Sequence, residues 1–431
     1  MKQGNATFKF DQREERFTHN CFRYPAKFHP PIAAQLIKDY AKDGAVVLDP
    51  FCGSGTVNLE ADLAGLRSFG IDCDPLAIFV AQCKTEVQSL DQLEKWINKF
   101  CRSSIVVNRA RSVHVHAKIS PRELKKRQLE LSYALPDIPN IDHWYHPAVA
   151  IELGILRDEI FRSAAPKQVK SVLWLTFASM VRAVSYADPV PVSGLEVTHH
   201  MRKRIEIGYE ISVGALFLKK LKKNFTAFTE LTHFAHRKQS VFKLKDSTSG
   251  RMLGRHVDLL VTSPPYQNAV DYYRRHALEM YWLGFVRTRA DRLGLIDKYV
   301  GRSRVAKKSA MLQEVLPNSK KLLSWVREVE AADAHRALDM KHYFTAMGKV
   351  FERTASVLES KGQAVFVVGD SQWNGETIPT HEILMDIAAP HLEFKAISSY
   401  SLKNRHMSYA RRNGADIDRE FVLVFAKGGK K

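Results

Sequence analysis

Long apolar runs are absent: no stretch of the 431 residues approaches the ~20 consecutive apolar positions that a bilayer-spanning helix requires. The N-terminus, MKQGNATFKFDQREERF, has no apolar signal core, so a cytoplasmic protein is expected. Cysteine is scarce. Cys21, Cys52, Cys73, Cys83 and Cys101 all fall in the first quarter, with no C-x-x-C pair and an odd total, which argues against a disulfide framework or a zinc site. Acidic residues are also short, 46 against 65 basic ones, for a formal net charge of +19. Between His199 and Lys245 only Glu206, Glu210 and Glu230 oppose Arg202, Lys203, Arg204, Lys219, Lys220, Lys222, Lys223, Arg237, Lys238, Lys243 and Lys245. An excess of this kind calls for a polyanionic partner, of which a nucleic-acid backbone is the commonest.

What is present is globular: 45% of the residues are hydrophobic, enough for a large core and two or three domains. Residues 44–82 read as a βαβ unit, with a strand at Val46–Leu48, a turn at Gly53 and Gly55, a helix from Thr56 to Ala64, and a second strand at Phe69–Ile71. Further short apolar runs at Val241–Leu244, Val257–Val261, Ala364–Val368 and Phe421–Phe425, with helical patterns between most of them, predict a Rossmann-like α/β sheet covered on both faces. Residues 86–240 are too long for an ordinary connection and mainly helical in pattern, so they read as an insertion. His143 and His146 are spaced as ligands on a helix could be, but no third ligand lies near, and helix entry is the better reading.

The turn Asp49-Pro50-Phe51-Cys52-Gly53-Ser54-Gly55-Thr56 has Asn58 where a dinucleotide fingerprint has its third glycine, and no Gly-Lys-Ser/Thr follows. Phosphate-cradling readings therefore weaken. A glycine turn that lets backbone approach a ligand, with an acid at Asp72 about twenty residues on to meet ribose hydroxyls, suits an adenosine cofactor without phosphates. S-adenosylmethionine is such a cofactor.

These residues resemble motif I of the amino-group (N4-cytosine/N6-adenine) S-adenosylmethionine-dependent DNA methyltransferases, and Thr262-Ser263-Pro264-Pro265-Tyr266 resembles their motif IV. The segment THNCFRYPAKFHPPIAAQLI, residues 18–37, is similar to the stretch that precedes the first strand in that family and closes over the methionine end of the cofactor. FKLKDS resembles motif III, and VFVVGDS and REFVLVFAK resemble the fifth and last strands. The resemblance implies a cofactor site of Tyr24, Lys27, Phe28, Asp49, Pro50, Phe51, Gly53, Ser54, Gly55, Thr56, Asp72 and Asp246, with Asp246 set for the adenine amino group. It implies a catalytic loop of Ser263, Pro264, Pro265 and Tyr266. The expected division is a cofactor-binding half over 1–85, an inserted subdomain over 86–240 for DNA contact and target recognition, and a catalytic half over 241–431 with a basic loop segment at 286–340. DNA phosphates are expected at Arg202, Lys203, Arg204, Lys219, Lys220, Lys222, Lys223, Arg274, Arg275, Arg302 and Arg304. Two departures matter: the insertion falls between motifs II and III, outside the familiar motif-order classes, and motif IV begins with serine rather than aspartate.

The proline pair has a chemical reason. An exocyclic base nitrogen is a poor nucleophile because its lone pair is delocalised into the ring. Prolines fix φ and restrict the preceding residue, so Ser263 and the Pro264 carbonyl become rigid acceptors for the two amino protons, while Tyr266 would stack on a base flipped from the duplex. Methylation of cytosine carbon five needs a cysteine nucleophile late in the chain, and no cysteine follows Cys101. The expected activity is N4-cytosine methylation of a short duplex sequence, for restriction protection beside a partner endonuclease or as a solitary modification. N6-adenine methylation is the alternative; guanine-N2 methylation of RNA and an inactive nucleic-acid-binding module are more distant. Such RNA enzymes usually carry an extra N-terminal RNA-binding domain, and with motif I starting at Asp49 none is expected here.

Overall fold

The computed structural model describes residues 16–86, 89–102, 113–114, 122, 135–188, 195–234, 236–267, 271–401 and 419–428. Seven strands build one sheet: β1 (Val46–Asp49), β2 (Arg67–Asp72), β3 (Val241–Leu244), β4 (Val257–Thr262), β5 (Leu358–Gly369), β6 (Leu392–Ser401) and β7 (Arg419–Lys427). Their spatial order is β6-β7-β5-β4-β1-β2-β3. The pairs from β5 through β4, β1 and β2 to β3 are parallel, whereas β7 runs antiparallel to both β5 and β6. From β1 the chain moves outward through β2 and β3, then returns to the other side of β1 with β4. The switch point therefore lies between β1 and β4, where an open α/β sheet places its ligand crevice.

Both faces of the central strands are buried, and side chains alternate between them. Val46, Leu48, Leu260, Phe366 and Phe425 face one layer, filled by Tyr343, Phe344, Met347 and Phe351 of the helix Ala334–Val357. Val47, Leu259, Val261, Val365 and Val424 face the other, against Ile32, Leu36 and Ile37 of α1 (Pro30–Tyr40) and Val57 and Ala61 of α2 (Thr56–Leu63). Pro30 and Pro31 open α1, where a missing N–H costs nothing. Asp74 caps α3 (Pro75–Thr85) by accepting from Leu76 N–H at 2.8 Å.

The longer described helices that follow α3 are α4 (Leu90–Arg102), α5 (Pro147–Arg162), α6 (Lys167–Val181), α7 (His199–Ile207) and α8 (Val213–Thr232). Among the described residues they share a core with α3. Leu153, Phe177, Phe217 and Phe228 pack in one cluster with Leu76, Val80 and Cys83 of α3 and with Met280 and Trp282 of the helix Ala277–Leu283. His146 caps α5, its Nδ1 accepting from Ala148 N–H.

One expectation changes. Residues 286–340, read as a basic loop, contain the helices Arg289–Ile296 and Lys320–Ala332. The first starts at a reciprocal Thr288–Asp291 capping box, and the second buries Leu322, Val326 and Val329 on one face; polar composition concealed both. Behind the proline loop the chain forms two short helices, Tyr272–Arg275 and Ala277–Leu283. The strand β6 is one the apolar runs did not mark.

Candidate active site

The ends of β1, β2 and β4 and the segment before α1 converge on a cleft of about 740 Å³, open solvent at its mouth included. Its lining brings together Tyr24, Lys27 and Phe28 from the N-terminal segment, Asp49, Pro50, Phe51, Gly53, Ser54 and Thr56 from the first turn, Asp72, Asp246, and Ser263 and Pro265 from the proline loop. Of the expected cofactor residues only Gly55 stands behind the lining. Its φ of +74° suits glycine, and a Cβ there would lie 2.8 Å from Ala81 Cβ on α3. Gly53, at φ +48°, faces the Tyr24 ring, which a Cβ would approach to 3.3 Å. The turn is thus a tight cradle, with no room for a side chain at Gly55 and little at Gly53.

Hydrogen bonds fix that cradle from beneath. Asp72 Oδ2 accepts from Gly53 N–H at 2.9 Å, and Oδ1 accepts from Asp74 N–H at 2.9 Å. Asp49 Oδ1 accepts from Phe51 N–H at 3.0 Å and from Thr262 Oγ1 at 2.7 Å, a bond that crosses the switch point from β4 to β1. Gly55 N–H donates to Cys52 O at 2.7 Å. Asp246 Oδ1 accepts from Thr248 N–H and Thr248 Oγ1, and Ser247 Oγ donates to Pro50 O, which ties the turn after β3 to the first turn. Burial pushes Asp49 up to about 7; burial and the neighbouring Asp74 carboxylate do the same for Asp72.

The chemistry of this donor set suits an adenosine with an amino-acid tail. Three carboxylates can accept from ribose hydroxyls and an adenine amino group, and Lys27 and Lys298 supply ammonium groups for a carboxylate. Cys52 and Cys73 also line the cleft, and burial followed by nearby Asp72 raises both thiols well above the usual range, so neither is a ready nucleophile.

In the proline loop Pro264 is buried, whereas Ser263 and Pro265 reach the cleft. The Tyr266 phenol donates to Glu420 Oε1, and the Tyr400 phenol donates to Glu420 Oε2, so the ring is tethered from β7. Sequence reasoning missed Glu420, because only strand pairing brings it to the loop. It also missed Tyr272, Tyr299 and Lys298 as lining. Tyr272 stacks on Tyr24 with ring centroids 5.8 Å apart. Gly301, at φ +77°, lets its segment press on the loop, since a Cβ there would meet Tyr266 O at 2.7 Å. A glycine in an otherwise basic stretch was the one available signal.

The expected phosphate contacts divide. Arg202, Lys203, Arg204, Lys219, Lys222, Lys223 and Arg304 are exposed; Lys220 is half-buried on α8 and Arg274 is half-buried beside Asp271. Arg204 lies over the Tyr209 ring at 4.2 Å. Arg275 and Arg302 are corrections: both are buried, Arg275 in the packing behind the loop and Arg302 in a bond from Nη2 to Asp297 Oδ1 at 2.7 Å. Arg237, counted in the basic stretch, is committed to Asp62 Oδ2 at 2.6 Å and Thr85 O at 2.7 Å. Each serves packing that a linear charge count cannot see.

The N6_N4_Mtase family, described as DNA methylase, matches residues 4–82. The Type II methyltransferase M.MvaI of Kocuria varians is 23% identical over 86% of this chain and 81% of its own. The Type II methyltransferase M.BsoBI of Geobacillus stearothermophilus is 24% identical over 94% of this chain and 84% of its own. A solved structure, the rRNA methyltransferase aviRa from Streptomyces viridochromogenes, covers 94% of this chain and 87% of its own at 13% identity and a TM-score of 0.32, too slight a likeness to carry an argument. Motif turns and relatives along most of its length agree: the chain is similar to the S-adenosylmethionine-dependent amino-group DNA methyltransferases.

Proposed function

We propose that this chain methylates an amino group in a specific duplex DNA sequence, and that the group is the N4 amino of a flipped cytosine. The observation that carries the reading is the meeting of Ser263 and Pro265 with Asp49, Asp72 and Asp246 around one cleft. S-adenosylmethionine supplies an electrophilic methyl group on a sulfonium. Asp72 and Asp246 would hold its ribose and adenine, and Lys27 its carboxylate. Ser263 Oγ and the Pro264 carbonyl accept from the two amino hydrogens and turn the nitrogen lone pair towards the methyl, so the chain's contribution is chiefly positioning for in-line displacement. Tyr266 offers a ring for the flipped base. The exposed cations of α7 and α8 hold phosphates, and a nuclease of the same specificity is the expected partner where the pair protects against restriction.

N6-adenine is the second reading, since the same acceptors serve either amino group. Ser263 favours cytosine: it is a neutral, weaker acceptor than the aspartate common at this position, and the cytosine amino group needs less help. Duplex DNA incubated with the protein and S-adenosylmethionine, then digested to nucleosides for mass spectrometry, tests the proposal. N4-methylcytosine is expected. N6-methyladenine alone would replace the base assignment, and methylation of tRNA alone would overturn the DNA reading. Single-molecule sequencing of DNA from expressing cells reports the sequence context.

A further inference from the structure

Lys84 on α3 is fully buried, and its ammonium has no carboxylate hydrogen-bonded to it among the described residues. Nζ instead donates to Ser54 O at 2.7 Å and lies 3.4 Å from Ser54 Oγ, so two oxygens of one residue in the cofactor turn receive it. The same lysine's carbonyl accepts from Thr18 Oγ1 at 2.8 Å, which joins α3 to the N-terminal segment. That segment is anchored a second time by His19 Nε2 and Glu60 Oε1 at 2.8 Å, both side chains buried. Lys27, a cleft residue, donates to His19 O at 3.2 Å.

A buried cation is costly unless something needs it there. A methionine of similar length would fill the position without that desolvation, at the expense of the donor to Ser54 O. The ammonium binds the one turn carbonyl that lies between the two glycines, holding Ser54 while Asp72 holds Gly53. We infer that Lys84 is a positioning residue for the cofactor: it sets the Ser54 peptide in the glycine turn, and S-adenosylmethionine affinity depends on a charge that the cofactor never touches. The inference rests on the cofactor reading above.

The charge is poised to change. Burial first, then the nearby Lys27 ammonium, brings Lys84 down to about 7. The groups facing it are Lys27, His19 and Cys21 from the N-terminal segment, Cys52 from the turn and Glu60 from α2. Lys220, Lys223 and Glu230 of α8 reach Cys21 from outside. Glu60 is itself pushed up to about 7 by burial, so at neutral pH the pocket does not reliably supply a compensating anion. Above neutrality Lys84 offers Ser54 only a neutral amine, a weaker donor than an ammonium.

The test is calorimetric titration of the full chain with S-adenosylmethionine from pH 6 to 9, with thermal unfolding in parallel, for the wild type, Lys84→Met and Lys84→Gln. Lys84→Met is expected to unfold no earlier than the wild type, yet to bind about tenfold or more weakly at pH 6.5, the scale of one charge-assisted hydrogen bond. Lys84→Gln, which keeps an uncharged donor, is expected to fall between them. The cofactor's own α-amino group also titrates in this range, so the pH dependence that counts is the wild-type loss of affinity in excess of the Lys84→Met profile. Wild-type binding with unchanged affinity in either folded variant, or identical pH profiles, would overturn the inference and leave the cofactor reading standing. If Lys84→Met failed to fold, the Lys84→Gln affinity and pH profile would decide. A wild type that did not bind S-adenosylmethionine would refute the cofactor reading and this inference with it.

Discussion

Asp72 Oδ2 accepts the Gly53 N–H at 2.9 Å, so the acid that ends β2 holds the turn that ends β1. An aspartate expected to touch ribose is already a brace for the backbone that the cofactor rests on. Replacing it removes both roles. Asp72→Ala should weaken S-adenosylmethionine binding by roughly 1.5–3 kcal/mol, the cost of losing a charge-assisted bond at a buried site. Calorimetry checks this, and an unchanged dissociation constant would remove Asp72 from the site.

The sheet was legible in the sequence because its central strands are buried on both faces and therefore read as unbroken apolar runs, as in Val257–Val261. Leu392–Ser401 went unread for the converse reason: this edge strand is mostly exposed and its sequence alternates weakly. The cleft followed from turn residues, since glycine and proline have backbone consequences that need no partner. Glu420 and Lys84 could not be found that way. Each is defined by a contact across at least 30 residues of chain, Glu420 with Tyr266 and Lys84 with Ser54. The burial of Arg275 and Arg302 was hidden likewise, because charge counts carry no information on which arginines pack inward.

The two turn glycines should respond differently to alanine. At Gly55 the added Cβ meets Ala81 Cβ at 2.8 Å with its backbone at 3.1 Å, so Gly55→Ala must shift a helix and is expected to lower thermal stability as well as abolish cofactor binding. At Gly53 the obstacle is the Tyr24 ring at 3.3 Å, a side chain that can give way. Gly53→Ala should therefore unfold within a few degrees of the wild type while still losing affinity, through the moved ring. Thermal unfolding and titration of both variants separate the cases; equal melting temperatures would refute the packing account of Gly55.

Asp49 makes a pH prediction. Its carboxyl is held up to about 7 by burial, so the folded chain keeps a proton there that the unfolded chain releases in the usual carboxylate range. The associated stability is complete below that range and is lost as pH rises through about 7; every pH step of one between the unfolded and folded titrations is worth about 1.4 kcal/mol. Asp72 and Glu60 carry the same sign, and His19, lowered by burial, the opposite one below its usual value. Asn at position 49 can still accept from Thr262 and Phe51 through Oδ1. The apo form of Asp49→Asn should thus lose less stability than the wild type between pH 5 and 7.5. Equal losses for the two proteins, measured by denaturant titration at both pH values, would contradict it.

Tyr266 and Glu420 should behave as one unit. Tyr266→Phe keeps the ring but deletes the donor to Glu420 Oε1, and Glu420→Gln weakens the same bond from the other side. Either variant is expected to lower kcat by about tenfold, the scale of one such bond, with the KM for S-adenosylmethionine little changed. Combined, they should cost scarcely more than the larger single effect, a coupling of about 1 kcal/mol or more between residues in contact. Strict additivity in the double-variant cycle would show that Glu420 does not act through the ring.

The basic helix face can be separated from the buried cations by salt. Each lysine or arginine that neutralises a DNA phosphate releases counterions and contributes about −0.9 to the slope of log affinity against log salt. Lys219, Lys222 and Lys223 project from α8 into solvent, whereas Arg275 and Arg302 are buried. Changing the three lysines together to glutamine should flatten the slope by about 2 to 3, one increment per lost contact, with thermal stability unaffected. Changing Arg302 to glutamine should do the reverse, lowering stability through its lost bond to Asp297 and leaving the slope as it was. Fluorescence anisotropy on a labelled duplex from 50 to 300 mM salt, on the order of the range over which such slopes are resolved, decides between them. An unaltered slope in the triple lysine variant would make that face of α8 a solvated surface and move the search for the DNA track to Arg202, Lys203 and Arg204 on α7.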